Sequence, residues 1–290
     1  MKAVVTGAGG FAGKWLCRHL LAEGWTVTGW IRRRCPKPVP GVRYRMVDIR
    51  DSAGVARAMQ EDAPDEVFHL AAVTHVASCE EDPDHARATN VAGTVNVFSA
   101  MPATARGVFA STCHVYGRPE SSPIPEDHAR NGESVYAMTK LEAEKAVKEL
   151  GRHVVIARAF HHTGPGQSTQ YVLADWAAQI RRGARTLHVG DASVERDFTD
   201  VRDVVTGYAF LAREGAAGEA YNLCAGQAWP LSYFLGCLAE GRSVTIEVDP
   251  QRLRHRDVPR FCGDPTRAAT LGWKPTRRIE ETLAELLAAG

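Results

Sequence analysis

A glycine turn close to the amino terminus is the feature that most constrains the fold of this chain. A β-branched run, residues 2–6, leads into Gly7, and glycines recur at Gly10 and Gly13 before a helix-periodic segment that closes at Gly24. A strand, a glycine turn and a helix in this order let the backbone approach a pyrophosphate closely at a helix amino terminus. The turn therefore predicts a dinucleotide site at the first strand of a parallel α/β sheet.

A basic segment follows the second predicted strand, residues 26–31. Arg32, Arg33 and Arg34 stand there, where folds that prefer NAD usually carry an acid for the ribose 2′-hydroxyl. Guanidinium groups instead suit the 2′-phosphate of NADP. We therefore expect Arg32 to bind NADP, with NAD as the alternative cofactor. The alternative is that these arginines form a solvated basic turn without a role in binding.

Strand-like and helix-like segments alternate through the first half of the chain. After residue 31 they are strand 42–47, helix 52–61, strand 66–70, helix 83–101, strand 107–110, helix 133–150 and strand 153–158. This alternation predicts a doubly wound parallel sheet, a Rossmann fold, with ligands at the carboxyl ends of the strands. We expect a dinucleotide-binding domain at 1–165 and a smaller substrate lobe at 166–290, some segments of which return to the core.

Two further strand ends are expected to line the dinucleotide site. Asp48 and Ile49 follow the third strand, where an acid and an apolar residue can flank an adenine ring. Ala71 and Ala72 follow the fourth strand, and residues this small let a dinucleotide lie across the strand end.

Tyr136 and Lys140 lie four residues apart in the helix-periodic run 133–150. That spacing places the phenol and the ammonium on one helix face, one turn apart. A cation beside a tyrosine favours the phenolate and lowers a pKa that is ordinarily near ~10. The pair therefore predicts proton exchange with a substrate hydroxyl or carbonyl, although an ordinary amphipathic helix can carry both residues too.

Composition and charge exclude several other classes of protein. The formal net charge is +1, so nothing favours nucleic acid as a partner. No apolar run reaches membrane-spanning length, and because the first residues already read as a strand we expect no secretion signal. The 7 cysteines are scattered without a Cys-x-x-Cys pair, which indicates reduced thiols in a cytoplasmic protein and predicts no metal site.

Taken together, these motifs resemble the extended short-chain dehydrogenase/reductase family over essentially the whole chain. The matching pieces are Thr6-Gly7-x-x-Gly10-Phe11-x-Gly13, Asp48, His69-Leu70-Ala71-Ala72, Ser111-Thr112 with Val115-Tyr116-Gly117, and Tyr136-x-x-x-Lys140. A narrower resemblance, to the GDP-mannose 4,6-dehydratase and GDP-4-keto-6-deoxymannose reductase branch, is carried by residues 158–167, 196–203 and 252–259. The reductases are the more similar side of that branch.

The resemblance implies a role for each matching residue. Thr112 and Tyr136 would hydrogen-bond the sugar oxygen at the carbon that exchanges hydride, with Tyr136 as the proton donor or acceptor, and Lys140 would bind the nicotinamide ribose. The residues expected to contact the cofactor are Gly7, Gly10, Phe11, Gly13, Arg32, Asp48, Ile49, Leu70, Ala71, Ala72, Tyr136 and Lys140. Those expected to contact a nucleotide-sugar substrate are Thr74, His114, His161, Arg196, Arg254 and Asp257. The family also implies a homodimer.

Two histidines depart from the pattern of the branch. His114 stands where the dehydratases have the carboxylate that assists elimination, and His161 stands where the branch usually has Asn. An imidazole can act as acid or base near neutral pH, so His114 is a further candidate catalytic residue; shaping the sugar pocket is the alternative role of both. We expect an enzyme that reduces the 4-keto group of a GDP-linked 6-deoxyhexose. A 4-epimerase, a 4,6-dehydratase and a non-catalytic dinucleotide sensor are the alternatives.

Overall fold

Parallel strands and helices alternate along the chain, as the sequence predicts. The computed structural model describes residues 1–253 and 258–288. The strands are β1 (Lys2–Thr6), β2 (Thr26–Ile31), β3 (Arg43–Met46), β4 (Glu66–His69), β5 (Arg106–Thr112), β6 (Val154–Ala159), β7 (His161–Thr163), β8 (Thr186–Val189), β9 (Glu195–Arg196), β10 (Phe198–Asp200), β11 (Ala220–Leu223), β12 (Trp229–Pro230), β13 (Thr245–Val248) and β14 (Arg260–Phe261). The helices are α1 (Phe11–Ala22), α2 (Ser52–Asp62), α3 (Val76–Glu81), α4 (Pro83–Arg87), α5 (Gly93–Ala100), α6 (Val135–Glu149), α7 (Val172–Arg181), α8 (Val201–Glu214), α9 (Leu231–Ala239), α10 (Thr266–Leu271) and α11 (Ile279–Ala288).

A seven-stranded parallel sheet forms the centre of the molecule. Its strand order is β11-β6-β5-β4-β1-β2-β3, so the order reverses between β1 and β4 and opens a crevice at their carboxyl ends. The predicted doubly wound sheet is confirmed. The edge strand β11 comes from the second half of the chain, which is one way in which later segments return to this core.

Helices cover both faces of the sheet. On one face, Leu16 and Leu20 of α1 share a buried apolar cluster with Val204 of α8. On the other, Met59 of α2 and Phe98 of α5 share a second cluster with side chains of α6. Within α1, α2 and α5 the buried residues recur at three- and four-residue spacings, which place them on one stripe of each helix.

A third apolar cluster lies in the carboxyl-terminal part of the chain. It joins Trp176 of α7, Phe234 and Leu238 of α9, and Leu283 of α11. The short strands form three small sheets beside it: β7 pairs with β10, β8 with β13, and β9 with both β12 and β14. These carboxyl-terminal helices thus share an apolar cluster of their own, while the division into a dinucleotide-binding domain and a smaller lobe at residue 166 stays a prediction.

The predicted helix 83–101 differs in one respect from the structure. A π-helical turn, Ala88–Ala92, separates α4 from α5. The turn carries Asn90, whose side-chain amide accepts a hydrogen bond from the Val73 backbone N–H at 2.8 Å and donates to the Val73 carbonyl and the Thr139 hydroxyl, both at 3.0 Å. Sequence periodicity shows the helix but not this wider turn, because the turn is stabilised by residues distant in sequence.

A buried ion pair joins α6 to the centre of the sheet. Arg158 of β6 donates two hydrogen bonds to the Glu144 carboxylate, at 2.8 and 3.0 Å, and both side chains are 1% exposed. Its remaining donors reach the Tyr116 hydroxyl at 2.9 Å and the Glu126 carbonyl at 2.8 Å. The Ser111 hydroxyl donates to the same carboxylate at 2.5 Å. The two buried charges are therefore compensated by one another, by these neutral groups and by the Arg130 guanidinium, which lies 3.7 Å from the Glu144 carboxylate.

Removing one partner of this pair is predicted to destabilise the protein strongly. Arg158→Met removes both charge-assisted hydrogen bonds of the buried Glu144 carboxylate and leaves the half-exposed Arg130 as its cation, 3.7 Å away. We expect a loss of roughly 3–5 kcal/mol in the free energy of unfolding. Arg87→Met is the matched control, since the Arg87–Glu142 pair uses the same helix but is 55% and 42% exposed. Urea denaturation measures both. Similar small losses in the two variants would contradict the importance of the buried pair.

Candidate active site

A single cleft at the carboxyl ends of the main strands gathers the predicted site residues. Its volume is about 1380 Å³. The predicted residues that line it are Gly7, Gly10, Phe11, Gly13, Arg32, Asp48, Ile49, Leu70, Ala71, Ala72, Thr74, Thr112, His114, Tyr136, Lys140, His161 and Arg196. Arg254 and Asp257 lie outside the described residues. Segments from both halves of the chain thus meet at one site.

The glycine turn forms a close-packed cradle at one end of the cleft. Gly7 has φ +69°, and a Cβ atom there would lie 2.9 Å from the backbone nitrogen of Ala71. A Cβ at Gly13 would lie 2.2 Å from the Gly7 carbonyl oxygen. The first turn of α1 has no side-chain cap on its backbone N–H groups. These N–H groups suit a pyrophosphate, which fits the predicted dinucleotide.

A chain of buried hydrogen bonds holds this turn against β4. The Thr6 hydroxyl accepts the backbone N–H groups of Leu70 and Ala71, both at 3.1 Å, and lies 2.7 Å from His69 Nδ1. Thr6 must therefore donate its proton to His69 Nδ1, which leaves Nε2 as the donor to the Thr94 hydroxyl at 2.9 Å. This requires a neutral imidazole. Burial, with a smaller effect of the Lys140 charge, lowers the pKa of His69 to about 3.

Beside Arg32, which lines the cleft, lie two residues outside its lining that sequence reasoning did not select, Arg50 and His85. The Arg32 and Arg50 guanidinium groups approach the two ring nitrogens of His85, at 3.4 and 3.2 Å. A neutral imidazole accepts a hydrogen bond at only one of its ring nitrogens, so His85 cannot accept from both guanidinium groups at once. The group therefore has more donors than acceptors, which suits an anion. Arg50 also hydrogen-bonds Asp48, and this bond is the main reason that the pKa of Asp48 is lowered to about 2.

The proposed proton-transfer groups lie where β5 and α6 meet. Thr112 ends β5, and Tyr136 lies in the first turn of α6, which Ser134 caps by accepting the Ala137 N–H at 3.1 Å. Both side chains are buried, at 6% and 8% exposure. Burial raises the pKa of Tyr136, while a hydrogen bond with Thr112 opposes the rise. The phenol therefore holds its proton at neutral pH.

Lys140 has a different environment from the one that sequence spacing predicts. Its ammonium donates to the Ala110 carbonyl at 2.6 Å and lies 4.2 Å from the centre of the Phe109 ring. Burial lowers the pKa of Lys140 to about 7, against a smaller upward effect of Glu144. The expectation that Lys140 lowers the pKa of Tyr136 is not met in this structure, because desolvation of the phenol dominates and raises it.

His114 and His161 face one another beside Tyr136. Their ring centres are 6.0 Å apart, and the His114 ring lies 5.8 Å from that of Tyr136. His114 belongs to the single 3-10 turn that follows β5, and His161 begins β7 just after β6. Because β5 and β6 are neighbours in a parallel sheet, their carboxyl ends bring the two histidines together.

The far end of the cleft lies between the sheet and the carboxyl-terminal helices. Thr74 shares a 3.3 Å hydrogen bond with the Tyr171 hydroxyl. Arg196 donates to the backbone carbonyl of Val258 at 2.8 Å. Arg252 donates to Asp175 at 2.5 Å and also lines the cleft. Among these cleft residues, sequence reasoning did not select Tyr171 or Arg252; Arg252 begins the 252–259 motif, but no pattern marks Tyr171.

Comparison with known proteins gives the family. The model of the NAD dependent epimerase/dehydratase family matches residues 3–224, which includes the glycine turn, Thr112 and the Tyr136 helix. The chain belongs to that family. It is therefore an NAD(P)-dependent enzyme with an extended short-chain dehydrogenase/reductase fold, as the motifs predict.

Similar proteins cover almost the whole chain. GDP-6-deoxy-D-mannose reductase of Pseudomonas aeruginosa is 36% identical over 98% of this chain and 95% of its own length. The structure of RMD from Pseudomonas aeruginosa complexed with NADPH superposes with a TM-score of 0.87 at 32% identity, covering 99% of this chain and 98% of that one. UDP-glucose 4-epimerase of Mycolicibacterium smegmatis is 28% identical, over 98% of this chain and 97% of its own.

The helices carry no membrane-spanning segment in the described ranges. None of those in residues 1–253 and 258–288 combines the length and the apolar character that crossing a bilayer requires.

The pKa of Lys140 predicts a pH-dependent stability. With the folded-state value near 7 and an unfolded value near 10.5, unfolding takes up a proton between these two values, so rising pH stabilises the protein. Relative to Lys140→Met, the free energy of unfolding should rise by up to about 1.4 kcal/mol for each unit above pH 7. Denaturation of both proteins across this range measures the difference, and a flat difference contradicts a neutral buried lysine.

Proposed function

We propose that this enzyme uses NADPH to reduce the 4-keto group of a nucleotide-linked 6-deoxyhexose, with GDP as the nucleotide. The observation that carries the proposal is that Thr112 and Tyr136 line the same cleft as the glycine cradle. The 36% identity to GDP-6-deoxy-D-mannose reductase supports the choice of substrate. The substrate and the residue roles below follow from that proposal.

The residues that line the cleft suit a dinucleotide. The cradle of Gly7 and Gly13 leaves room for backbone only, and the uncapped start of α1 faces it. When bound there, NADPH would supply a hydride. Arg32 and Arg50 would hold the 2′-phosphate, and Lys140 would donate to the hydroxyls of the nicotinamide ribose in place of the Ala110 carbonyl.

Thr112 and Tyr136 would act on the ketone oxygen of the sugar. Both are donors, so together they would stabilise the negative charge that develops on that oxygen as C4 accepts the hydride. Tyr136 would then give its phenolic proton to the alkoxide, completing the alcohol. A phenol whose pKa is raised by burial still holds its proton when the hydride arrives, which supports Tyr136 as the proton donor.

The residue at position 114 supports reduction over dehydration. In the resemblance to the dehydratases, His114 corresponds to the carboxylate that helps to remove the C5 proton. In the structure its ring lies 5.8 Å from the Tyr136 ring and within the cleft. Elimination would require this imidazole to replace the carboxylate, and formation of a 4-keto-6-deoxy product from GDP-mannose would demonstrate it.

Loss of the Tyr136 hydroxyl is predicted to stop turnover without loss of the cofactor. The measurement is NADPH oxidation in the presence of GDP-4-keto-6-deoxymannose. Tyr136→Phe should lower kcat by roughly 10²–10⁴-fold because it removes the general acid, while the dissociation constant for NADPH stays nearly unchanged.

The matched control is Tyr221→Phe. The Tyr221 hydroxyl accepts the Ala216 N–H at 3.1 Å, away from the cleft, so this variant should keep its kcat. Unchanged turnover in Tyr136→Phe would reject the assigned role. The absence of any NADPH oxidation by the native enzyme with this substrate would reject the proposed reaction.

A 4-epimerase is the second candidate, and the 28% identity to UDP-glucose 4-epimerase favours it. With Thr112 bound to the same oxygen, Tyr136 would take the proton of the C4 hydroxyl while the C4 hydride passes to the oxidised dinucleotide. The hydride would then return to the other face of C4, and Tyr136 would return the proton to the oxygen. Such an enzyme retains its cofactor and shows no net redox change. Turnover without added NADPH, together with a cofactor that copurifies with the protein, would distinguish it.

Arg32 is predicted to select NADPH over NADH. Hydrogen bonds from charged donors contribute about 1.5–3 kcal/mol, so Arg32→Ala should weaken NADPH binding by roughly 10- to 100-fold and leave NADH binding unchanged. Arg34→Ala is the control, because it removes a neighbouring guanidinium that is not among the cleft-lining residues. Fluorescence titration with both cofactors measures this, and an equal loss for NADH would contradict the role.

A homodimer, a cytoplasmic location and the lobe boundary at residue 166 remain proposals. Met138 on the outer face of α6 is 40% exposed, which supports an apolar contact through this helix.

A further inference from the structure

Three potential metal ligands meet in the sugar end of the cleft. Cys113, His114 and His161 each offer one ligand atom, and these atoms all lie within 4.8 Å of one another. Cys113 is 2% exposed, and all three residues line the cleft. The spacing of cysteines in the sequence did not indicate this cluster, because its members come from the ends of two different strands.

We propose that Cys113, His114 and His161 bind a borderline-soft divalent transition-metal ion, with Zn²⁺ as the preferred ion, in the active-site cleft. One thiolate and two imidazoles are a donor set that suits Zn²⁺. Three protein ligands leave the fourth tetrahedral position open to the cleft, where water or a substrate oxygen can occupy it.

The observed separations are close to those of a formed site. Zn–N bonds of about 2.0 Å and Zn–S bonds of about 2.3 Å place tetrahedral ligand atoms roughly 3.5 Å apart. The separations of up to 4.8 Å therefore require the side chains to close by about 1 Å, which rotation of the two partly exposed imidazoles supplies.

The surroundings act on the site in opposing ways. Burial raises the pKa of the Cys113 thiol to about 12, with a smaller upward effect of Asp197 and an opposing effect of Arg196. A bound dication overrides this burial, because a coordinating thiol is deprotonated outright. The proton from the Cys113 sulfur is released to solvent as the S–Zn bond forms, and no oxidation state changes.

The metal would exclude the sugar. The His114 ring lies 5.8 Å from the Tyr136 ring, so an ion held by His114 occupies space next to the proton donor. Zn²⁺ is therefore a competitive inhibitor with respect to the sugar substrate. This consequence rests on the proposed function, whereas the binding of the metal does not.

The first test is titration of the cofactor-free protein with Zn²⁺ in competition with a chromophoric chelator. The native protein should bind one equivalent, and Cys113→Ser and His161→Asn should each bind it roughly 100-fold more weakly or worse, since loss of an outer-shell partner alone costs 10- to 100-fold. Cys237→Ser and His188→Asn are the controls, because they change the same residue types outside the cleft lining.

A spectroscopic measurement on the native protein removes the dependence on variants. Co²⁺ should produce the intense visible bands of a tetrahedral site and a thiolate charge-transfer band. Retained NADPH binding shows that Cys113→Ser is folded, and in that variant the charge-transfer band should disappear. No stoichiometric Zn²⁺ binding to the native protein, a Co²⁺ spectrum without thiolate character, or equally tight Zn²⁺ binding by both variants would overturn the proposal.

The inhibition assay separates this proposal from the reductase proposal. Zn²⁺ should raise the KM for the keto sugar in the native enzyme and in Cys237→Ser, and should do so far less in Cys113→Ser. An enzyme that binds Zn²⁺ at this site but oxidises no NADPH would contradict the reductase proposal and leave the metal site standing. NADPH oxidation that is insensitive to a saturating, bound Zn²⁺ would contradict the placement of the metal in the sugar site.

Discussion

One threonine hydroxyl fixes the position of the glycine turn relative to the rest of the sheet. Thr6 accepts two backbone N–H groups from the segment after β4 and gives its own proton to His69. That proton determines the tautomer of His69, which then donates to Thr94, and Thr94 donates to the Asn90 carbonyl. Because the Asn90 amide also donates to Thr139 on α6, buried hydrogen bonds connect the glycine turn to the helix that carries Tyr136 and Lys140. A fully satisfied polar network of this kind specifies one arrangement of the elements it joins.

Burial sets the protonation of the groups at the centre of the cleft. It raises the pKa of Tyr136 and lowers that of Lys140, so both groups tend towards their neutral forms. The Arg158–Glu144 pair keeps its charges because the two side chains share two hydrogen bonds, and because Ser111, Tyr116 and the Glu126 carbonyl bond their remaining atoms. The helix α6 therefore combines a rigid ionic anchor with two groups whose charge responds to what binds beside them. This suits a centre at which a proton moves while the scaffold stays fixed.

Local patterns in the sequence predicted the fold and most of the site. The Gly7, Gly10 and Gly13 spacing and the four-residue step from Tyr136 to Lys140 act within one turn of backbone, so the sequence shows them directly. The π-helical turn at Asn90 and the edge strand β11 were not predicted, because each depends on pairing with distant segments. The same is true of the Arg32–His85–Arg50 group, where the three residues lie on separate segments.

The sequence alone determined the class of fold, the cofactor type and the residues available for proton transfer, since these follow from short motifs and their order along the chain. The tertiary structure decided which of them meet. Only the adjacency of β5 and β6 brings Cys113 and His114 to His161, and only the depth of burial reverses the shift in the pKa of Tyr136 that helical spacing suggests. Distances between strand ends and the loss of water depend on the packing of the whole chain, and no local pattern of residues encodes them.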